Sequence, residues 1–253
     1  RAQVCSAMHL RMEELYACSL DLEDAEGTTL LHFAVFNDHA KEVSNLLQSD
    51  SLVNPNAQDE EGRTALHYAS SADTVRALLE SDRFTAADAW DREGSTALHL
   101  AARDDQLDVA KALLESHRFG AVNLQDCEGR TALHYAASGK LARLLLSSTR
   151  FTAAGARDRS GATALGIAAR RGHLEAVRAL LESEVFLAGN TQDGDDGGVT
   201  PPRVASEQAL LALLESESCG SVTPGGGGGG ARPDTLRSLL ENCVLEKAGV
   251  ALE

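Results

Sequence analysis

A short motif of Asp, Gly and Thr recurs through the middle of the chain and limits its fold more than any other feature. The spacing Asp-x-x-Gly-x-Thr begins at Asp24, Asp59, Asp91, Asp126 and Asp158, and a looser copy begins at Asp195. Successive copies are 35, 32, 35, 32 and 37 residues apart. A period of this length indicates structural repeats that stack, because one such unit is too short to bury its own apolar face.

Each repeat is interpreted as a turn followed by two helices. In the second repeat Gly62 permits a turn with positive φ, and Thr64 is placed to cap a helix by accepting a backbone N–H two or three residues further on. An apolar stripe follows on the first helix, at Ala65, Leu66 and Ala69. The second helix carries Val75 and the double leucine Leu78 and Leu79. The pattern therefore predicts stacked helix pairs.

These residues resemble the ankyrin repeat, whose hallmark is Thr-Pro-Leu-His-x-Ala after an Asp-x-x-Gly turn, over about residues 24–216. The resemblance implies an all-α solenoid of helix-turn-helix units with β-hairpin-like loops. The units start near residues 24, 59, 91, 126 and 158, with a degenerate one near 193. Alanine replaces the family's Pro, and Gly166 and Arg203 replace its His, so the fifth and sixth units lack the hydrogen bonds of that side chain.

Two features depart from the family pattern. Repeats 2 and 4 lack three residues before the double leucine, which predicts a shortened helix pair because three residues make nearly one helical turn. The segment RFTAA occurs at 83–87 and again at 150–154, which indicates that a long–short pair of repeats was duplicated.

The second feature is a hydrophobic residue five places after each double leucine. We interpret it as a plug beneath a loop and not as a stacking platform for bases: Leu52, Phe84, Phe119, Phe151 and Phe186.

The ends of the chain differ from the repeat array, which we assign to residues 24–218. Residues 1–23 predict a helix that caps the first repeat, and the glycine-rich stretch 219–232 predicts a flexible linker. Residues 233–253 predict an amphipathic helix, which either docks on the array, binds a partner or begins a truncated domain. Because the chain starts with Arg1, we expect it to be a fragment of a longer protein.

The sequence contains no motif typical of a catalytic, metal or disulfide site. Four histidines share one repeat position and are interpreted as structural: His32, His67, His99 and His134. The acidic stretch 193–197 lacks the ligand alternation and the final Glu of a calcium loop. The five cysteines are far apart with no CxxC pair, so we expect neither a disulfide framework nor a zinc site. The same spacing predicts a protein of a reducing compartment. We therefore expect a non-enzyme without catalytic residues, cofactor or metal, located in the cytoplasm, with the nucleus as the alternative.

The charge and hydropathy of the chain limit its partners. A formal net charge of −15 disfavours nucleic acid, and no apolar run is long enough to span a membrane. We expect a monomer that acts as a scaffold or adaptor and binds a partner protein. Two alternatives stay open: the substrate-recognition module of a larger enzyme, such as a kinase, ubiquitin ligase or methyltransferase, and a structural tether.

The family resemblance also implies where a partner binds, since the hairpin tips and first helices of ankyrin stacks line a concave face. The partner-binding residues inferred in this way are Glu60, Arg63, Trp90, Arg92, Arg103, Arg130, Arg157, Arg159, Arg170 and Arg171. Trp90 is either an interface anchor or folded over its own loop. The arginines of repeat 5 predict an acidic or phosphorylated partner segment; the alternative is that they pair with nearby acids such as Asp158 and Glu175.

Overall fold

The computed structural model describes residues 24–49 and 54–183. The helices and linker predicted in the two ends, the sixth repeat, Leu52 and Phe186 lie outside the described residues. The chain divides into two compact units, Arg1–Cys127 and Glu128–Glu253, so that the division falls in the hairpin of repeat 4. The part of the chain that is described contains helices and no strand, which confirms the all-α prediction.

The helices follow the repeats in order. In the first unit, repeat 1 contains α1 (Leu30–Phe36) and α2 (Ala40–Gln48), repeat 2 contains a one-turn 3₁₀ helix (Ala65–Tyr68) and α3 (Ala72–Glu80), and repeat 3 contains α4 (Ala97–Arg103), α5 (Leu107–Glu115) and a 3₁₀ turn (Ala121–Asn123). In the second unit, repeat 4 contains α6 (Ala132–Tyr135) and α7 (Gly139–Ser147), and repeat 5 contains α8 (Ala164–Arg171) and α9 (Leu174–Glu182).

The three-residue deletion in repeats 2 and 4 falls entirely on the first helix. That helix has four residues in the short repeats and seven or eight in the long ones, whereas the second helix has nine residues in all five. The predicted shortening of both helices is therefore wrong for the second helix. The second helix keeps its length because its double leucine is buried in every repeat described, apart from the half-buried Leu181.

Long and short repeats also end the first helix differently. In the long repeats a residue with positive φ follows the helix: Asp38 (59°), Asp105 (53°) and Gly172 (73°). In the short repeats a serine instead caps the second helix: the Ser71 hydroxyl accepts the Thr74 N–H at 3.3 Å and the Ser138 hydroxyl accepts the Leu141 N–H at 3.2 Å. The missing residues are thus the last turn of the first helix and its left-handed stop.

The hairpin turns are built as the motif predicts. Its five glycines have φ between 72° and 80°, which confirms the positive-φ assignment. The carboxylate of Asp59 accepts the N–H groups of Glu61 and Arg63, both at 2.9 Å, and so fixes the turn. Neighbouring hairpins in the first unit are joined through their backbones, because the Glu60 N–H donates to the Glu26 carbonyl at 2.9 Å.

Threonine and histidine cap the first helices of repeats 1–4 together. In repeat 2 the Thr64 side chain faces the N–H of His67, and His67 Nδ1 accepts the N–H of Thr64 at 3.0 Å. The Nε2 atoms of His32 and His67 then bond to the carbonyls of Arg63 (3.1 Å) and Ser95 (3.2 Å) in the following hairpins. The histidines of this position are therefore structural, as predicted. In repeat 5 only the threonine half of the cap persists, with the Thr163 hydroxyl accepting the Gly166 N–H.

The phenylalanines after the double leucines lie under the loops. Phe84, Phe119 and Phe151 are at most 2% exposed, which confirms the prediction that they plug the core. The arginine before each also supports the loops of the first unit, since Arg83 donates to the Leu47 carbonyl at 3.2 Å and Arg118 donates to the Phe84 carbonyl at 3.0 Å.

Candidate functional site

The residues predicted to bind a partner lie on hairpins and at the ends of first helices. In the first unit Glu60, Trp90, Arg92 and Arg103 are exposed, and Arg63 is half-buried. In the second unit the exposed ones are Arg157, Arg159, Arg170 and Arg171, and Arg130 is half-buried. The structure thus gives two candidate surfaces, one on each unit.

The two half-buried arginines connect one hairpin to the next. Arg63 pairs with Glu61 at 2.8 Å and with the buried Asp91 at 3.4 Å. Arg130 lies 3.9 Å from the buried Asp158 carboxylate, with its guanidinium 5.8 Å from the centre of the Tyr135 ring. Both charges therefore contribute to contacts between repeats, in addition to any role toward a partner.

Trp90 projects from its hairpin. Its counterparts in other repeats reach back across the turn, as Gln58 donates to the Gly62 carbonyl at 2.8 Å and Arg157 donates to the Gly161 carbonyl at 3.2 Å. The Trp90 side chain is 61% exposed and does not fold over its own loop. Its backbone is fixed, because it forms an antiparallel bridge with Thr96 next to the buried Asp91. An exposed indole on a fixed backbone is suited to anchor a partner.

The arginines of repeat 5 form a second exposed group. Within residues 128–183 no ion pair involves Arg159, Arg170 or Arg171, so the alternative that these three pair with Asp158 or Glu175 is not what the structure contains. Burial would raise the pKa of Asp158, but hydrogen bonds from the Ser160 hydroxyl and from the backbone hold it below its ordinary value. This carboxylate is therefore charged and engaged within its own turn.

Charge is distributed unevenly between the two units. The described residues of the first unit, 24–49 and 54–127, include eight Lys and Arg against eighteen Asp and Glu, a net charge of −10. Those of the second unit, 128–183, include nine Lys and Arg against four Asp and Glu, a net charge of +5. The acidic composition of the whole chain therefore conceals a basic stretch at residues 128–183, although the second unit as a whole, residues 128–253, has 13 Lys and Arg against 15 Asp and Glu. The described residues of the two units favour partners of opposite charge.

Sequence reasoning missed an exposed aromatic residue on α1. Phe36 is 63% exposed and packs edge-on against Tyr68, with ring centroids 6.3 Å apart. Burial and a hydrogen bond to Asp59 raise the pKa of Tyr68 to about 12, so its hydroxyl stays protonated and donates. The position could have been recognised from the sequence, because Phe36 lies seven residues after the capping threonine of its repeat. Arg103 and Arg170 lie at the same distance from theirs.

The described surface carries the means for binding by charge and aromatic contact. Among residues 24–49 and 54–183 no group of three His, Cys, Asp or Glu side chains is placed to hold a metal ion. None of the helices that the structure describes is long and apolar enough to cross a membrane. The groups that this surface does expose are arginine and aromatic side chains.

Comparison with known proteins agrees with this architecture. The family model for three copies of the ankyrin repeat matches residues 4–88 and 72–154, and that for a single ankyrin repeat matches residues 160–190. No curated protein matched the chain in the sequence comparison.

Two solved structures are similar to this chain. The ankyrin repeat domain of Bcl-3, described as a unique member of the IkappaB protein family, is 28% identical, with a TM-score of 0.58 over 80% of this chain and 89% of that one. The ankyrin repeat protein EF0377 is 24% identical, with a TM-score of 0.54 over 68% of this chain and 90% of that one, and supports the fold alone. Ankyrin repeats generally serve as non-catalytic modules for protein–protein interaction. This chain belongs to the ankyrin repeat family.

Proposed function

We propose that this chain is a non-catalytic scaffold or adaptor and that repeat 5 binds an acidic or phosphorylated segment of a partner protein. The observation that carries the proposal is the basic surface of the second unit, on which Arg159, Arg170 and Arg171 are exposed and make no ion pair within residues 128–183. A guanidinium binds a carboxylate or phosphate through two parallel hydrogen bonds, which gives both affinity and orientation.

The position of these arginines supports the same conclusion. Arg159 lies in the hairpin turn, whereas Arg170 and Arg171 end α8, so both elements that the family resemblance assigns to binding carry positive charge in one repeat. Residues 128–183 carry a net charge of +5, so contacts between these arginines and an acidic partner should weaken as salt is added.

The test is charge reversal in the 253-residue chain. The double variant Arg159→Glu/Arg170→Glu is compared with Arg143→Glu/Arg178→Glu, which makes the same charge change at exposed residues of the second helices α7 and α9. The probes are a fluorescein-labelled peptide rich in Asp and Glu and the same peptide with one phosphoserine, titrated at several salt concentrations.

We expect the repeat 5 variant to lose about tenfold or more in affinity and to show a weaker salt dependence, while the control keeps most of its binding. Equal losses in the two variants would show a general charge effect without a site at repeat 5. Preference for the phosphorylated peptide would identify the phosphate as the recognised group, and the unmodified peptide would identify carboxylates. The proposal also includes a monomeric chain in the cytoplasm, for which light scattering and cell fractionation are the measurements.

A further inference from the structure

Phe36 is an exposed aromatic residue at a position where the other long repeats carry arginine. It is the last residue of α1, and Arg103 and Arg170 occupy the equivalent positions of α4 and α8. A single exposed apolar side chain is ordinary on a protein surface. The surroundings of Phe36 are what give this one significance.

The deletion in repeat 2 removes the residues that would stand beside Phe36. The one-turn helix Ala65–Tyr68 packs against both α1 and α4, and at Ala69 the backbone becomes extended, with ψ of 128°. The first helices of repeats 1 and 3 have seven residues each, whereas the first helix of repeat 2 has four. The two neighbours are therefore longer than the helix between them by most of a turn. We call the place of this missing turn the notch; its accessible residues are the exposed Phe36 and the half-buried Tyr68, and Ala69, which follows Tyr68, is itself buried.

The aromatic surface of the notch is held in place. Tyr68 donates its hydroxyl proton to Asp59, and its ring makes edge-to-face contacts with His32 at 5.9 Å and with Phe36 at 6.3 Å. Because these contacts fix the tyrosine before any partner arrives, an apolar side chain that enters the notch orders little in this protein. The notch is therefore preorganised for an apolar group.

The rim of the notch is acidic. Asp38 follows α1 and accepts a hydrogen bond from the Ser71 hydroxyl, and Asp104 and Asp105 follow α4. Two basic residues lie close by, and both are paired: Arg103 lies 3.8 Å from the Asp104 carboxylate, and Arg63, which bonds to Tyr68, pairs with Glu61 and Asp91. The described part of the first unit carries a net charge of −10, which extends the same preference for cations over a wider surface.

We propose that the notch is a docking site for a partner segment that presents one apolar side chain flanked by Lys or Arg residues. The apolar side chain lies against Phe36 and Tyr68, and the basic residues face the carboxylates at the ends of α1 and α4. This site is independent of repeat 5, because it lies on the other unit and selects the opposite charge.

The experiment uses the 253-residue chain and three labelled ten-residue synthetic peptides, measured by fluorescence anisotropy. The first has a central Leu between arginines, the second has Ala at the centre of the same sequence, and the third has the central Leu between glutamates. We expect the first peptide to bind about tenfold more tightly than the second, since leucine has more apolar surface than alanine to place against Phe36 and Tyr68. We expect the third to bind least.

Two substitutions locate the binding. Phe36→Ser should remove the preference for Leu over Ala, whereas Trp90→Ser should keep it, although Trp90 is an equally exposed aromatic residue of the same unit at 61% against 63%. Asp38→Asn, which the positive φ of that residue tolerates, should weaken the arginine peptides and reduce their salt dependence.

Several results would overturn the proposal: equal affinity for the Leu and Ala peptides, preference for the glutamate peptide, no binding by any peptide, or loss of the preference in Trp90→Ser. A photoreactive group at position 36 that crosslinks to the same chain in dilute solution would also overturn it, since a segment of this protein would then occupy the notch. Failure here leaves the repeat 5 proposal untouched, because that proposal uses acidic probes and other residues.

Discussion

The Nε2 atom of His67 lies 3.2 Å from the carbonyl oxygen of Ser95, in the hairpin of the following repeat. The other ring nitrogen, Nδ1, accepts the N–H of Thr64 at 3.0 Å, so Nε2 carries the proton and donates it to Ser95. One neutral imidazole therefore caps its own helix and joins two repeats. A second proton on the ring would bind to Nδ1. The N–H of Nδ1 would then face the N–H of Thr64, and this hydrogen bond would be lost.

This arrangement predicts that stability depends on pH. Burial lowers the pKa of His67 below the ordinary value of 6.5, against the opposing effect of Asp91 and the hydrogen bonds. Because the unfolded chain takes up a proton at a higher pH than the native one, this histidine's contribution is complete above pH 6.5 and declines as the pH falls below it. Urea unfolding between pH 8 and pH 5 should show the decline, with part of it absent in His67→Gln. The exposed His117→Gln is the control and should change the pH profile little.

Two hairpin glycines should respond differently to the same substitution. Gly161→Ala should cost about 1–2 kcal/mol, because φ is +80° and a Cβ there meets no atom of residues 24–49 or 54–183 within 4 Å. Gly94→Ala should cost more, by a further ~1–3 kcal/mol, because a Cβ would lie 2.8 Å from the backbone nitrogen of Cys127 and the hairpins would have to separate. Chemical denaturation of both variants gives the comparison, and equal losses would contradict the close approach of the two hairpins.

The leucine that follows the capping threonine should be essential in the short repeat of the second unit. Leu133 is 1% exposed in α6, so Leu133→Ala should reduce the free energy of unfolding by about 2–5 kcal/mol. The control is Leu144→Ala in α7 of the same repeat, where the side chain is half-buried and a clearly smaller loss is expected. If the two variants melted alike, the one-turn helix α6 would not be packed as the structure shows.

The plug beneath the loop can be tested against the exposed phenylalanine of the same unit. Phe84→Ala should cost about 3–5 kcal/mol, because its ring is fully buried under the loop after α3. Phe36→Ala should change stability by less than ~1 kcal/mol, since its ring is mostly in water already. Thermal unfolding followed by circular dichroism measures both, and a large loss for Phe36→Ala would mean that its contact with Tyr68 supports the fold.

The sequence alone determined the repeat and most of what lies inside it. In the five described repeats the hairpin glycines and the capping threonines were assigned correctly, and so were Phe84, Phe119 and Phe151. Each of these assignments depends on backbone geometry or burial within its own thirty-odd residues. The histidine was assigned to structure from its recurrence, but its bond to the next hairpin was not foreseen.

Only the tertiary structure decided which residues are left for a partner. Arg63 lies four residues after the Asp of its hairpin and Arg159 one residue after. Arg63 pairs with Asp91 of the following repeat, whereas Arg159 makes no ion pair within residues 128–183. The deletion in repeat 2 could be counted in the sequence, but its assignment to the first helix alone, and the exposure of Phe36 that accompanies it, required the structure. The physical reason is that a side chain's exposure and charge pairing depend on the repeat packed beside it, about 30 residues away in the chain, and that neighbour is specified by stacking and not by the local sequence.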